Sequence, residues 1–290
     1  MKVAGFTFIR NAQTYDYPVV EAIMSILPVC DEFVVAVGRS DDDTRALIEA
    51  IGSPKIRILD TVWDDSLREG GRVLAAETDK ALAAISPDAD WAFYIQGDEV
   101  MHERYLPVVR TAMETHLGDP SVQGLLVQYQ HFYGSYRYVA DSRRWYRREV
   151  RIIRNTGAIV SYRDAQGFRT RDDRKLAVRL TDAVMYHYGW VKPPQVQRSK
   201  RAEFEKFWTP DDQMERVRQE IADFDYDQVD SLALFTGTHP AVMHERIQRM
   251  NWQFDFDIRQ KKLSPKNRLL NAIEELTGWR VGEYRNYRLR

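Results

Sequence analysis

The chain has 290 residues, with 42 Lys plus Arg against 43 Asp plus Glu, a formal net charge of −1, 44% hydrophobic residues and one cysteine. That length is ample to bury a core and fits one large α/β domain or a domain with an appendage, while the charge balance argues against a general nucleic-acid binder, which needs a basic excess to neutralise phosphates. The lone Cys30 excludes an internal disulfide or a thiolate metal cluster, so a reduced, cytoplasmic protein held by packing is expected, and any metal must bind through oxygen or histidine.

Residues 3–9 form an apolar run stopped by Arg10. The run is too short for a signal segment and lacks a small-residue cleavage site, so it reads as a buried first strand. No window approaches the roughly eighteen apolar residues of a membrane helix. A helix over 16–27 follows, with Pro18 in its first turn and Pro28 ending it. The second strand, 32–37, leads into GRSDDDT, where Asp42 or Asp43 can cap a helix reaching to about residue 51. Capping and ligand roles for these aspartates both stay open. A third strand covers 55–59, a helix 71–85 and a fourth strand 91–95, followed at once by Gln96, Gly97, Asp98 and Glu99. After a helix over 103–117, strands are expected over 124–130, 145–154 and 183–187. From Pro193 onward the chain is helical and charged, with Phe204, Phe207 and Trp208 at helical spacing. The last helix opens at Ser264 and Pro265 and stops at Gly278. Alternating β-rich and helical patterns define an α/β fold with a parallel sheet covered by helices. Residues 1–192 are expected to form that domain, with 193–290 a helical C-terminal extension packed on it.

In open α/β sheets, ligands bind outside the carboxyl ends of the strands. Asn11, the GRSDDDT turn, the WDDSLREGG segment and Asp98 all fall there. An acidic pair after a buried strand, with Gly97 allowing close approach, can hold a hard cation such as Mg²⁺ or Mn²⁺; the competing role is to cap the next helix. His187, in MYHYGW, is either a packed histidine or a partner of Asp98 in a mixed N/O site. Arg143, Arg144, Arg147, Arg148, Arg151 and Arg154 cannot all face one pocket from a strand. Those at the ligand edge can clamp a diphosphate or an anionic substrate, with nucleic-acid binding as the competing reading. Aromatics make up 12% of the chain. Tyr129, Phe132, Tyr133, Tyr136, Trp145, Tyr188 and Trp190 are mostly packing residues, with one or two available as sugar platforms. No GxGxxG, GxxxxGK[ST], GxSxG or HExxH element is present, which removes the main support for dinucleotide oxidoreductases, P-loop enzymes, α/β-hydrolases and zincins.

A strand closed by Arg10 and Asn11, GRSDDDT after the second strand, a helix around Gly71 and Ala75, and a strand closed by IQGDEV occur in an order that resembles the family 2 glycosyltransferases of GT-A fold over residues 2–103. HFYGSY, WYRREVRIIRN, DAQGFR, YHYGW, GTHPAVM and GEYRNY resemble a bacterial branch of sugar transferases. The resemblance implies a GT-A fold, Rossmann-like, with a mostly parallel sheet flanked by helices. It implies a metal-dependent, inverting transfer of a sugar from a UDP- or GDP-type nucleotide-diphosphate donor to a hydroxyl acceptor, in surface polysaccharide or glycan synthesis. Asp98 matches the second aspartate of Asp-x-Asp; Glu99 extends the motif and His187 adds a third contact to Mn²⁺ or Mg²⁺. Donor contacts are expected from Arg10, Asn11, Ser40, Asp42, Arg72, Gln96, Gly97 and Lys192, and the base is Asp164 or Glu149. Gln96 stands where the family has its first motif aspartate and Val37 where it has an acid, with Asp41, Asp42 or Asp43 available to compensate. An inactive carbohydrate- or nucleotide-binding protein of the same fold and a nucleotidyltransferase are the alternatives, though the latter's glycine-rich loop is missing after the first strand. Neither a nucleic-acid partner nor a transmembrane segment is expected, and an oligomer is left open.

Overall fold

The computed structural model describes residues 1–67, 69–209, 213–222 and 224–290. The chain runs β1 (Val3–Ile9), α1 (Val19–Ile26), β2 (Glu32–Gly38), α2 (Thr44–Glu49), β3 (Ile56–Thr61), α3 (Arg72–Ala84), β4 (Trp91–Tyr94), β5 (Glu99–Met101), α4 (Leu106–Thr115), β6 (Gly124–Tyr133) and β7 (Ser135–Ala140). It continues through β8 (Arg148–Arg154), β9 (Ile159–Tyr162), β10 (Gly167–Thr170), β11 (Leu176–Trp190), α5 (Pro194–Glu205), α6 (Met214–Ala222), β12 (Leu232–Leu234), α7 (His244–Gln248), α8 (Pro265–Thr277) and β13 (Tyr287–Leu289).

One sheet has the order β12-β7-β6-β8-β4-β1-β2-β3, with β11 on β6 and carrying β5 and β13. Its β3-β2-β1-β4 half is parallel. Strands buried on both faces need apolar residues at every position, and β2 and β4 have them. Phe33, Val35, Val37, Trp91 and Phe93 point into a core shared with α1 and α4, whereas Val34, Ala36, Ala92 and Tyr94 point into one shared with α3. This parallel, helix-flanked half is the α/β layout that the GT-A resemblance implies, and β8, β6, β7 and β12 extend the sheet by antiparallel pairing.

The differences from the expected elements have local causes. Helix α1 starts at Val19 rather than residue 16, because Asp16 adopts a left-handed φ of 46° and Pro18 occupies the cap. Strand β11 is far longer than 183–187: exposed Arg179, Leu180 and Asp182 interrupt the buried positions of its first half, which breaks up the apolar run. The C-terminal segment holds helices α5 to α8, and it also returns β12 and β13 to the main sheet.

Candidate active site

A cavity of about 200 Å³ opens at the carboxyl ends of β1 and β4, the position that open α/β sheets reserve for ligands. Phe8 to Asn11 form one wall and Gln96, Gly97 and Asp98 another, with Asp164, His187 and Trp63 around them. Helix α5 and the turn after it close the space with Lys200, Glu203, Phe204, Phe207 and Trp208. Two lining side chains carry a buried donor without a partner among the described residues, Arg10 at Nε and Trp63 at Nε1. Unpaired buried donors are costly, so both are suited to an acceptor supplied by a ligand.

The charged centre is Asp98, whose Oδ2 accepts from Lys200 Nζ at 2.9 Å and whose Oδ1 lies 3.8 Å from His187 Nε2. Burial alone would push this carboxyl up, but Lys200 above all, then His187, hold it well below the usual carboxylate range. It is an anion at any physiological pH. His187 sits opposite His131 in the β11–β6 register, with their Nδ1 atoms 3.1 Å apart. His131 Nε2 lies 2.8 Å from the Tyr146 carbonyl and must donate to it. Burial pushes the His131 ring down to about 3 and also lowers His187, so both are neutral near pH 7. A neutral His131 that donates at Nε2 accepts at Nδ1, which makes His187 Nδ1 the donor and leaves the lone pair on His187 Nε2. Gly189 permits this geometry, since a Cβ there would stand 2.7 Å from both Asp98 Oδ2 and His187 Cε1.

A carboxylate oxygen and an imidazole lone pair at this spacing suit a divalent ion that takes its other ligands from phosphate and water. Glu99, expected as a further ligand, is not there. Asp98 lies in the turn between β4 and β5, and Glu99, the first residue of β5, turns into the core to meet Arg151 at 2.8 and 2.9 Å, with Tyr129 donating at 2.6 Å. Among the described residues no group of three His, Cys, Asp or Glu gathers around an ion site.

The other expected contacts divide. Arg10, Asn11, Gln96 and Gly97 line the cavity. Arg10 pairs with Asp65 at 3.2 Å and stacks on Trp63. Asn11, at a left-handed φ of 52°, takes Asp41 N–H on its side chain and donates its own N–H to Ser40 Oγ. Gln96 donates to the Ala165 carbonyl and accepts from Arg151, so it ties β4 to the turn bearing Asp164. Ser40 and Asp42 stay outside the lining. Asp42 accepts from Thr14 N–H and from the Thr44 N–H and hydroxyl at the start of α2, whereas Asp43, at the cap position itself, makes no side-chain cap bond. Arg72 opens α3 on the exposed surface. Lys192 is also misplaced as a phosphate contact: it is fully buried behind Tyr17, donates to the Asp16 carbonyl at 2.5 Å, and burial drives its pKa down. Arg68 of the WDDSLREGG segment lies outside the described residues.

Of the two candidate bases, only Asp164 lines the cavity. It sits between left-handed Arg163 and Ala165 and packs on Gly71, where a Cβ would come within 2.8 Å of its own. Glu149 is buried elsewhere, holding Gln166 at 2.8 Å, and burial pushes it up to about 8. The strand arginines do not reach the cavity. Arg143 and Arg147 pair with Glu274, Arg151 with Glu99, and Arg154 collects carbonyls beyond α4. This removes the main support for both the diphosphate clamp and the nucleic-acid reading. Among the expected platforms, Phe132 stacks on Tyr188 and Tyr133 on Trp190 as packing. The residues missed were Lys200, Glu203 and Trp63. Lys200 had a signal: it shares the i, i+4 face of Phe204.

No family model matches the chain, and no curated protein sequence matches it. Among solved structures it is similar to glucosyl-3-phosphoglycerate synthase from Mycobacterium tuberculosis in complex with Mn²⁺, UDP and glucosyl-3-phosphoglycerate, at 21% identity and a TM-score of 0.32, over 46% of this chain and 45% of that one. The match thus spans less than half the length of the synthase. It is also similar to S. aureus TarS 1–349 in complex with UDP, at 12% identity and a TM-score of 0.42, over 77% of this chain and 71% of that one.

Proposed function

We propose that the protein is an inverting glycosyltransferase that moves a sugar from a nucleotide-diphosphate donor of UDP or GDP type to a hydroxyl acceptor, in glycan or surface polysaccharide synthesis. One observation carries the reading: an ionised Asp98, a His187 lone pair and the Lys200 ammonium meet in a cavity whose wall also bears Asp164 and two donors unpartnered among the described residues. A diphosphate leaving group needs concentrated positive charge, and an attacking hydroxyl needs a carboxylate within reach.

Asp98 and His187 are the residues that would hold Mn²⁺ or Mg²⁺. A bound ion would offset the negative charge that develops on the diphosphate. Lys200 and Arg10 supply cations to the same end, and Arg10 Nε has a free proton for a phosphate or ribose oxygen. Trp63 and Trp208 offer aromatic faces for the base or a sugar ring. Asp164 takes the proton from the acceptor hydroxyl as it attacks the anomeric carbon. Its placement on a turn fastened by Gln96 and Gly71 holds the carboxylate at the cavity wall.

Calorimetry with UDP and with GDP, each with and without Mn²⁺, tests the assignment. One nucleotide should bind more tightly with metal, and Asp98→Ala should abolish the metal-dependent gain. Nucleotide binding absent under every condition would sink the transferase reading.

A further inference from the structure

Helix α8 carries an exposed apolar stripe. Leu269, Ala272 and Leu276 follow i, i+3, i+7 spacing and so form one stripe, which Trp279 extends just past the Gly278 cap. Leu269 is 64% exposed, Leu276 86% and Trp279 62%, and no residue of the helix is buried. Leu270 and Ile273 of the helix are half-buried, and Glu274 faces Arg143, Arg147 and Arg280. Those two side chains and the ion pairs hold the helix to the protein, and the outer stripe stays exposed.

The segment leading into it, RQKKLSPKNR, holds Arg259, Lys261, Lys262, Lys266 and Arg268 and no acid, and all five cations are exposed. Arg259 is matched by Asp257, Lys261 lies 3.6 Å from Asp141, and Lys262 Nζ donates to the Asp227 carbonyl at 2.7 Å. At 100° per residue, Lys266 and Arg268 project roughly 80° to either side of the stripe, with Glu275 next to Arg268. Long cationic side chains there can reach past an immersed stripe to phosphate headgroups. A second copy of the same face would set these cations against one another.

We propose that α8 and the basic segment before it form a docking surface for an anionic lipid bilayer. Leu269, Leu276 and Trp279 enter the interface, while Lys266 and Arg268 face the headgroups. The contact is peripheral, since no helix among the described residues is long and apolar enough to cross a membrane. It stands on surface chemistry alone and does not depend on the transferase reading.

The test is co-sedimentation of the full chain with vesicles of phosphatidylcholine alone or mixed with phosphatidylglycerol. The chain should bind the mixed vesicles, less so as salt rises. Binding should fall about tenfold or more in Leu269→Gln/Leu276→Gln and in Lys266→Gln/Arg268→Gln, with unchanged circular dichroism, because all four positions are exposed. The proposal is overturned by no binding to the mixed vesicles, by equal binding to neutral ones, or by full binding in the leucine variant. A dimer in sedimentation velocity that the leucine variant dissolves would overturn it too, by assigning the stripe to a second copy.

Discussion

Asp98 and Glu99 are adjacent in sequence and do unrelated work. The turn that ends at Asp98 leaves it at the cavity, and β5 carries Glu99 into the core, where it neutralises a fully buried Arg151. Removing one partner of a buried pair leaves an uncompensated charge, so Glu99→Gln should cost about 3–5 kcal/mol in urea unfolding while leaving nucleotide affinity near that of the parent. A stable variant that has lost metal-dependent nucleotide binding would instead restore Glu99 as a ligand. Glu149 offers a pH test. Its carboxyl is raised from 4.5 to about 8, so the folded state keeps a proton that the unfolded chain gives up. This contribution to stability is complete below about pH 4.5 and is lost as pH rises towards about 8. Glu149→Gln stays neutral and can still accept from Gln166. It should match the parent at about pH 5 and exceed it by about 2–4 kcal/mol at about pH 8.5 in urea titrations. A difference that does not change with pH would contradict the burial argument.

At the scale of elements, α5 decides what the cavity contains. Proline at its first position and the i, i+4 spacing of Lys200 and Phe204 are helix signals, with Phe207 following in the turn past the helix end. Which way that face turns depends on Lys192 and Tyr226 seating the turn before it, through a Tyr226 hydroxyl to Lys192 carbonyl bond of 3.0 Å. Lys200 and a divalent ion would draw on the same carboxylate. Lys200→Met should therefore tighten Mn²⁺ binding without nucleotide by about tenfold, the scale of one charge-assisted hydrogen bond, as read by manganese EPR. Weaker Mn²⁺ binding in the variant would show that the ammonium and the ion do not compete. Strands β1, β2 and β4 were the most legible, because double-sided burial writes an uninterrupted apolar run, whereas β5, β7, β9, β10, β12 and β13 were not expected. Strand β11 was legible only over 183–187, because exposed Arg179, Leu180 and Asp182 interrupt its first half.

For the whole molecule, the segment after residue 192 is part of the architecture. It supplies β12 and β13 to the sheet, Lys200 to the cavity, and buried Phe207, Phe224, Tyr226, Met243 and Tyr287 to the cores. A fragment of residues 1–192 should fail to unfold cooperatively in calorimetry, whereas the full chain should melt in one transition. An independently cooperative fragment would make the C-terminal part an appendage.

Sequence alone determined the α/β layout, the strand ends where a ligand would sit, and Asp98 as the central anion, because period-2 and period-3.6 burial patterns are local and a strand's end is marked by the residues that follow it. Only tertiary structure decided that Glu99, Glu149, Asp42, Lys192 and the strand arginines have other partners, and that Lys200 and Trp63 complete the cavity. A charged residue's sequence context gives its type and its spacing; its partner is set by what the fold brings within about 3–4 Å, often from a hundred residues away.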